Sequence, residues 1–389
     1  MSSHVYKEEF SATPVTLQNV ERDNFNVIGV FEKTTFIGLK SINGLNIMRN
    51  NIVPSGNGNV TMVGNEYKLN VTTSSDTILL ESKEKGKYVP GKSCSLGMGL
   101  RIPSPLVGDQ TVCWGYFNND NGFYFKKTST NFFVCIKKDG VETAIPRSQF
   151  NIDKVDGSGG SSKTLDFTAG NIFRIKFSWY GYGCVEFGVI GGDYFNIVKL
   201  LPLHMYQTIG HTSVTNPSLP LSISVSNGTT NSNCDIYVAG RSFDIMGSYN
   251  PVYRHNGVNV QNISCSSTLK PVLNIRKKSN SEYYSISILL RTVYLKTDND
   301  IYLEIRTDPT LTNTNYINLQ SEAETSVEYD ISADSVSSGL VVWCGIISST
   351  TNVINFPEHV LVESCSVCVK SLSSTATLSY LHLNWDEDW

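Results

Sequence analysis

Charged side chains are scarce in this 389-residue sequence. Asp, Glu, Lys and Arg make up 17% of the residues, and the formal net charge is −4. Roughly one quarter is usual for globular proteins. The densest basic run is Arg276-Lys277-Lys278. Because binding to nucleic acid or to an anionic membrane depends on clustered Lys and Arg, the composition predicts neither partner.

Long apolar runs and export signals are also missing. No uninterrupted apolar stretch approaches the ~18 residues that cross a bilayer, so no membrane span is predicted. The segment Met1–Phe10 lacks the basic-then-apolar pattern of a secretory signal. We therefore expect the protein to stay in the compartment where it is made, unless it leaves inside a larger particle.

The sequence contains no recognisable catalytic or metal-binding set. Residues 157–160 are Gly-rich but are not followed by the Lys-Ser/Thr of a phosphate loop. The aromatic segment 172–190 carries one carboxylate, Glu186, whereas a glycosidase needs a pair. Cys365 and Cys368 form a lone CxxC without further ligands at zinc spacing. The sequence therefore predicts no enzyme, no metal and no cofactor.

Cysteine is present in an odd number, nine residues. Several lie within apolar, strand-like runs, such as residues 132–136 and 342–346. We interpret the cysteines as free, buried thiols that pack as small apolar side chains. A disulfide framework would instead indicate an exported protein.

The dominant positive signal is strand-like alternation. Aromatic and β-branched residues alternate with small or charged ones in segments 114–125 and 172–190, and the same period of two recurs at 221–225 and 377–383. Turn signals such as Asn227-Gly228 separate these runs. The pattern predicts an all-β chain: an antiparallel β-sandwich of the jelly-roll or lectin-like type, followed by a second β domain.

We divide the chain into three segments. Residues 1–85 are predicted to be an N-terminal arm and strands that anchor the protein to a neighbour, or simply the first strands of the sandwich. Residues 86–248 are predicted to form the aromatic-rich sandwich, and residues 249–389 the C-terminal β domain. The acidic, aromatic end at 384–389 is either a docking peptide or a solvated tail.

Exposed aromatic rings are the candidate ligand contacts. Alternation predicts that half of the aromatic residues in 114–125 belong to the core. The rest could stack on sugar rings, and we select Trp114, Tyr180 and Tyr182 as candidate glycan-binding residues. No metal ligand and no catalytic residue is assigned.

Several blocks, in order, resemble a module of structural proteins from tailed phages and large double-stranded DNA viruses. The resemblance extends over about residues 90–330 and consists of architectural motifs. Its blocks are Trp114–Phe125, Pro146–Lys154, Gly157–Gly159, Thr164–Asp166, Ile172–Gly188, Asn216–Leu221, Lys270–Lys278 and Asp308–Thr312.

This resemblance implies a virion component: a minor capsid protein, fibre or spike that stabilises the capsid or attaches to the host. It implies capsid or other virion proteins as partners, a homo-oligomer (a trimer by analogy with other projecting viral β-proteins), and a host surface glycan as ligand. Assembly is expected in the cytoplasm of the host cell.

Two alternatives remain open from the sequence. A secreted, lectin-like glycan-binding module would contain disulfides among its cysteines. A polysaccharide-degrading tail enzyme would present clustered carboxylates on a concave face.

Overall fold

The computed structural model describes residues 33–42, 44–191, 193–200, 210–249, 252–279, 286–319, 325–356, 361–373 and 375–388. The predicted N-terminal arm before residue 33 and the final Trp389 lie outside the described residues.

Fifteen strands form the first of two units in this described part. Their bounds are β1 Lys33–Leu39, β2 Asn50–Ser55, β3 Asn59–Val63, β4 Glu66–Val71, β5 Thr77–Lys85, β6 Cys94–Arg101, β7 Thr111–Phe117, β8 Gly122–Thr128, β9 Phe132–Lys138, β10 Val141–Pro146, β11 Asn171–Phe177, β12 Val185–Gly191, β13 Asp193–Leu200, β14 Pro220–Ser226 and β15 Cys234–Met246.

These strands form two antiparallel sheets. One has the order β13-β12-β11-β6-β15-β4-β3, with β1 also pairing with β15, and the other has the order β10-β9-β8-β7-β14-β5-β2. Burial alternates residue by residue along β4 and β5, as expected for strands with one face in a core. The first unit is therefore the predicted antiparallel β-sandwich.

Aromatic rings fill the space between these two sheets. Trp114 of β7 lies 4.8 Å from Phe173 of β11 between ring centroids, and Tyr116 of β7 lies 5.1 Å from Phe243 of β15. In both pairs the partners come from opposite sheets. The alternation that predicted strands thus also places these large side chains face to face.

Thirteen further strands form the second unit. Their bounds are β16 Tyr253–Cys265, β17 Lys270–Lys277, β18 Ser287–Thr297, β19 Ile301–Thr307, β20 Thr310–Thr312, β21 Ile317–Asn318, β22 Val327–Asp330, β23 Ser335–Ser337, β24 Leu340–Ile347, β25 Thr351–Asn355, β26 Leu361–Val362, β27 Ser364–Ser371 and β28 Ala376–Asp388.

The second unit also consists of two antiparallel sheets, where the sequence predicted a β domain without specifying its architecture. One sheet has the order β16-β28-β18-β25, with β26 on β18, and the other has the order β21-β22-β17-β27-β19-β24. Its core is aliphatic, with Leu290 and Leu383 from the first of these sheets packing with Leu273, Leu303 and Val367 from the second.

The sheet topology corrects the predicted boundary at residue 85. Strands β1 to β5 are members of the same two sheets as β6 to β15: β4 lies between β15 and β3, and β5 lies between β14 and β2. Of the two alternatives for this region, the described part adopts the simple one, in which its strands belong to the sandwich. Local alternation could not reveal this, because pairing partners lie far apart in sequence.

The acidic C-terminal end is neither a docking peptide nor a solvated tail in the described residues. Residues 384–388 belong to β28, which pairs with both β16 and β18. Trp385, Asp386, Glu387 and Asp388 are all buried. Their composition suggested exposure, but the chain here is the central strand of a sheet.

Candidate functional site

Trp114 is fully buried and cannot contact a glycan, which corrects its selection as a ligand residue. Its ring stacks on Phe125 and Phe132 at centroid distances of 5.6 and 6.0 Å, and it meets Phe173 edge-on. Trp114 is therefore a core residue of the first sandwich.

The prediction that half of the aromatics in 114–125 belong to the core is also wrong. All six are buried, on both faces of the sheet. Phe117 and Tyr124 point away from the main core and form a separate cluster with Cys135. Alternation indicates that some side chains face away from the core, but it could not show that this outer face is covered too.

Hydrogen bonds and long side chains cover that outer face. The Tyr124 hydroxyl donates to Glu142, Lys126 Nζ lies 2.7 Å from the same carboxylate, and the Lys137 ammonium lies 5.5 Å from the Tyr124 ring centroid. Burial, reinforced by Glu142, raises the pKa of Tyr124 well above its usual value. Tyr124 therefore stays a protonated donor at neutral pH.

Tyr180 and Tyr182 are both exposed, at 48% and 61% of their surface. They lie in the loop between β11 and β12, which we call the tyrosine loop (residues 178–184). Tyr180 has a positive φ of 43°, and Gly181 between them has a φ of 79°. A residue with a side chain rarely adopts this region, so the loop holds Tyr180 in a specific conformation at a local energetic cost.

Hydrogen bonds hold the tyrosine loop to its neighbours. Gly183 N donates to Trp179 O at 2.6 Å, and Ser213 N donates to Gly181 O at 2.9 Å. Trp179 Nε1 donates to Ser213 Oγ at 3.1 Å, and Trp179 packs edge-on against Tyr88 with 5.0 Å between ring centroids. Hydrogen bonds and ring packing therefore fix the backbone to which the two exposed rings are attached.

The segment 210–216 connects this loop to two others at the same end of the sandwich. Lys138 Nζ donates to Thr212 O at 2.9 Å, and Thr215 N donates to Asn121 Oδ1 at 2.8 Å. The Thr215 hydroxyl donates to Asp139. Hydroxyl, amide and carboxylate groups therefore lie on the loops beside the exposed rings.

A second candidate site is the cleft where the two units meet. It has a volume of about 600 Å³ and lies between β5 of the first unit and β17 of the second. Lys83 Nζ lies 3.4 Å from Asp308, and Glu363 lies 3.9 Å from Lys85 Nζ and 3.5 Å from Lys277 Nζ. Sequence analysis missed this cleft, although Lys277 belongs to the one basic run that it noted.

A buried ion pair also crosses the joint between the units. Lys87 Nζ lies 2.7 Å from the Asp388 carbonyl oxygen and 3.3 Å from its carboxylate, and both side chains are buried. Tyr249 OH donates to the same carboxylate at 3.3 Å. The last described residue of the chain therefore ties the two sandwiches together.

The interpretation of the cysteines as free, buried thiols is confirmed for most of them but not for Cys344. All nine thiols are free, and seven of them are buried. Burial raises the pKa of Cys94 and of Cys234 to about 12, so these thiols are protonated at neutral pH. Cys344 is exposed, so the prediction of a buried thiol in the run 342–346 is wrong; its strand, β24, lies at the edge of its sheet.

The described residues contain neither a metal-binding cluster nor a membrane-spanning helix. No group of three or more His, Cys, Asp and Glu side chains is arranged to hold a metal ion. No helix there has the length and apolar character needed to cross a membrane.

Comparison with known proteins gives no family for this chain. No family model matches it, and no curated protein matches it.

Among solved structures, the chain is similar to an endo-β-1,4-glucuronan lyase from the fungus Trichoderma reesei, at 10% identity and a TM-score of 0.36, covering 55% of this chain and 96% of that one. A legume lectin-like domain from Entamoeba histolytica matches at 15% identity and a TM-score of 0.33, covering 51% and 90%. The carbohydrate recognition domain of Emp47p matches at 11% and 0.36, covering 54% and 95%. Similarity at this level does not identify a function.

Proposed function

We propose that this protein is a carbohydrate-binding β-sandwich protein and that Tyr180 and Tyr182 contact the sugar. The observation that carries the proposal is the pair of exposed tyrosine rings on a hydrogen-bonded loop at one end of the first sandwich. Both residues were selected from the sequence. Trp114, the third candidate, is excluded by its burial.

Tyrosine suits this role chemically. Its ring offers a flat apolar surface for the C–H face of a sugar, and its hydroxyl can bond to sugar hydroxyls. Because the backbone of the tyrosine loop is already held by Ser213 and Trp179, less conformational entropy is lost on binding. Asp139 and Thr215 are exposed on adjoining segments and supply polar groups of the kind that fix a sugar's orientation.

The experiment is a glycan array followed by calorimetry on the strongest ligand. Tyr182→Ala and Tyr180→Asn are the test variants, because Asn tolerates the positive φ at position 180. Tyr294→Ala is the matched control, since Tyr294 is an exposed tyrosine of the second unit. We expect each test variant to bind at least roughly tenfold more weakly, as contact tyrosines commonly do, and the control to bind normally. Unchanged affinity in both test variants would remove the proposal.

We propose binding without turnover, so the polysaccharide-degrading alternative is the less favoured one. The residues that support binding here are aromatic rings, hydroxyls and amides. Incubating the array ligand with the protein and analysing its chain length measures this directly. A shortened ligand would establish an enzyme instead.

A role as a virion component is the second proposal. Its support is the resemblance over residues 90–330 and the nine free thiols, which fit assembly in a reducing cytoplasm better than export. In that setting the sandwich would face a host glycan, and a homo-oligomer would contact other virion proteins.

Two measurements test the virion proposal. Quantitative mass spectrometry of purified particles from the encoding virus should find tens to hundreds of copies per particle, and absence from the particle would exclude it. Thiol titration of the unreduced, denatured protein should count nine thiols. Fewer thiols, with disulfides, would favour the secreted lectin-like module.

A further inference from the structure

The cleft between the two units, here called the junction cleft, has an unusual concentration of positive charge for this chain. The first unit contributes two basic side chains from β5, and the second contributes three from the end of β17 and just beyond it. These five are Lys83, Lys85, Arg276, Lys277 and Lys278. Only three acidic side chains, Glu81, Asp308 and Glu363, line the same cleft. The lining therefore has an excess of two positive charges.

Lys85 and Lys277 have nearly buried side chains, and Lys278 is buried as well. The side chains of Lys85 and Lys277 are 11% and 9% exposed, and they share Glu363, whose side chain is 61% exposed. The two ammonium groups lie against each other from opposite units. Burying like charges together is costly unless negative charge lies close to both.

The pKa values of these two lysines reflect their burial and the nearby like charge. Burial first, and then the charge of Lys277, lowers the pKa of Lys85 to about 8, while Glu363 opposes the shift. Burial likewise lowers the pKa of Lys277. Both ammonium groups would be stabilised by a further negative group in the cleft.

Two of the five basic residues also interact with groups that do not line the cleft. Arg276 Nε donates to Glu328 and its guanidinium stacks on Tyr316, and Lys278 Nζ donates to Thr325 O at 2.9 Å. They contribute to the field of the cleft rather than to direct contact. Lys83, Lys85 and Lys277 are therefore the groups placed to touch a ligand.

The shape of the cleft favours an extended ligand. A neighbouring cavity of about 410 Å³ shares Asn51, Lys83 and Asp308 with it, so the two form one continuous groove. Ser279 and Ser364 add hydroxyl groups to the cleft wall. Hydroxyls and ammonium groups together are suited to a ligand that carries both oxyanions and alcohols.

We propose that the junction cleft is an oxyanion-binding site in which Lys85 and Lys277 jointly hold one carboxylate, sulfate or phosphate group. The group is either a free inorganic anion or part of an acidic saccharide that continues along the groove past Lys83. Glu363 occupies the position of that anion when the site is empty, and its exposure lets it swing out into solvent. This site is separate from the tyrosine loop and does not depend on the function proposed there.

Calorimetry at low ionic strength tests the site, because salt screens such contacts. The two ligands are sodium phosphate and a tetrasaccharide of galacturonic acid, titrated separately into the full chain. Equal affinity per anion indicates a free anion as the ligand, and much tighter binding of the tetrasaccharide indicates an acidic saccharide. Absence of binding by both ligands overturns the proposal.

Lys85→Met and Lys277→Met should each weaken binding roughly tenfold, the usual effect of losing one charge-assisted hydrogen bond. Lys163→Met is the matched control, because Lys163 is an exposed lysine of the first unit. Unchanged affinity in both test variants also overturns the proposal.

Glu363→Gln keeps the test decisive if a lysine variant fails to fold. This change removes the carboxylate that competes with the ligand while keeping a side chain of the same size. We expect the anion to bind several-fold more tightly, an effect that general loss of structure does not produce. Weaker or unchanged binding by Glu363→Gln contradicts the proposed position of the anion. Tyr182→Ala should leave this binding unchanged, which separates the site from the sugar site.

Discussion

The interiors of the two sandwiches are packed with different kinds of side chain. The first unit packs aromatic rings between its sheets, as Trp114, Phe132 and Phe173 illustrate. The second unit packs aliphatic side chains, and Trp385 is its one fully buried ring among the described residues. Large rings bury much apolar area per residue, so the first unit depends chiefly on the hydrophobic effect.

The second unit also contains buried carboxylates with several hydrogen bonds each, as the first unit does at Asp76. Glu387 accepts from Thr325 Oγ1 at 2.6 Å, from Ser326 N at 2.7 Å and from Trp385 Nε1 at 3.0 Å. Asp330 accepts from Asn274 Nδ2 at 2.8 Å. Such groups stabilise only while each one keeps its partners, so the second unit should be sensitive to protonation and to single polar substitutions at these positions.

Trp114→Ala should have the largest effect on stability. Removing a fully buried indole leaves a cavity among rings that cannot all relax, and such changes cost about 3–5 kcal/mol. Denaturant unfolding measures the loss. Trp343→Ala is the matched control, because Trp343 is only partly buried beside the second core, and its loss should be clearly smaller. Equal losses would contradict the difference between the two cores.

Glu387→Gln should lower the free energy of unfolding by about 2–4 kcal/mol. The amide keeps one acceptor oxygen, but its NH₂ group would face the donors that the second carboxylate oxygen now accepts from. Hydrogen exchange should show the lost protection mainly in the second unit. Glu328 is partly buried and is paired with the exposed Arg276 rather than held in a buried network, so Glu328→Gln serves as the control and should change stability less. Loss of protection spread evenly over both units would contradict the assignment.

The same residue predicts a pH dependence. Burial alone would raise the pKa of Glu387, but hydrogen bonds from Thr325, Ser326 and Trp385 outweigh it and lower the pKa below its ordinary 4.5. Because the folded pKa is depressed, its contribution to stability is present above about pH 4.5 and is lost as pH falls through the folded value. The wild type should therefore lose stability in acid faster than Glu387→Gln. Parallel pH profiles would refute this.

The ion pair at the joint tests how far the units depend on each other. Lys87→Met and Asp388→Asn should each destabilise the protein, because each leaves a partner buried without its counter-charge. The double variant should lose less than the sum of the two, with a coupling energy of about 1–3 kcal/mol in a double-mutant cycle. Additive losses would mean that the pair does not link the sandwiches energetically.

Tyr182→Ala should have the smallest effect on stability, within about 0.5 kcal/mol, because exposed side chains away from caps and networks contribute little. Thermal unfolding measures it alongside the glycan titration. Normal stability with lost sugar binding separates function from folding at this position. A large loss of stability would show that the ring is packed rather than free to bind.

Local patterns were enough to predict several features. Period-two alternation and turn residues predicted an all-β chain and an antiparallel sandwich, because side-chain direction in a strand is set by neighbouring residues alone. The position of Cys135 in an apolar run likewise predicted a buried thiol.

Other features depended on contacts distant in sequence. The alternation around Trp114 is the same whether the outward face is solvated or covered, so the sequence could not show that Phe117 and Tyr124 are buried. The acidic side chains of residues 386–388 suggested an exposed tail, whereas pairing of β28 with β16 and β18 buries them.

By itself, then, the sequence determined the strand-forming character of the chain, its two β units and its apolar thiols, since these follow from local composition and period. Tertiary structure decided which tyrosines are exposed, where the acidic end lies, and that Lys85 and Lys277 meet in one cleft. The reason is physical: exposure and charge proximity depend on which strands pair and which sheets pack, and those partners are separated by scores of residues along the chain.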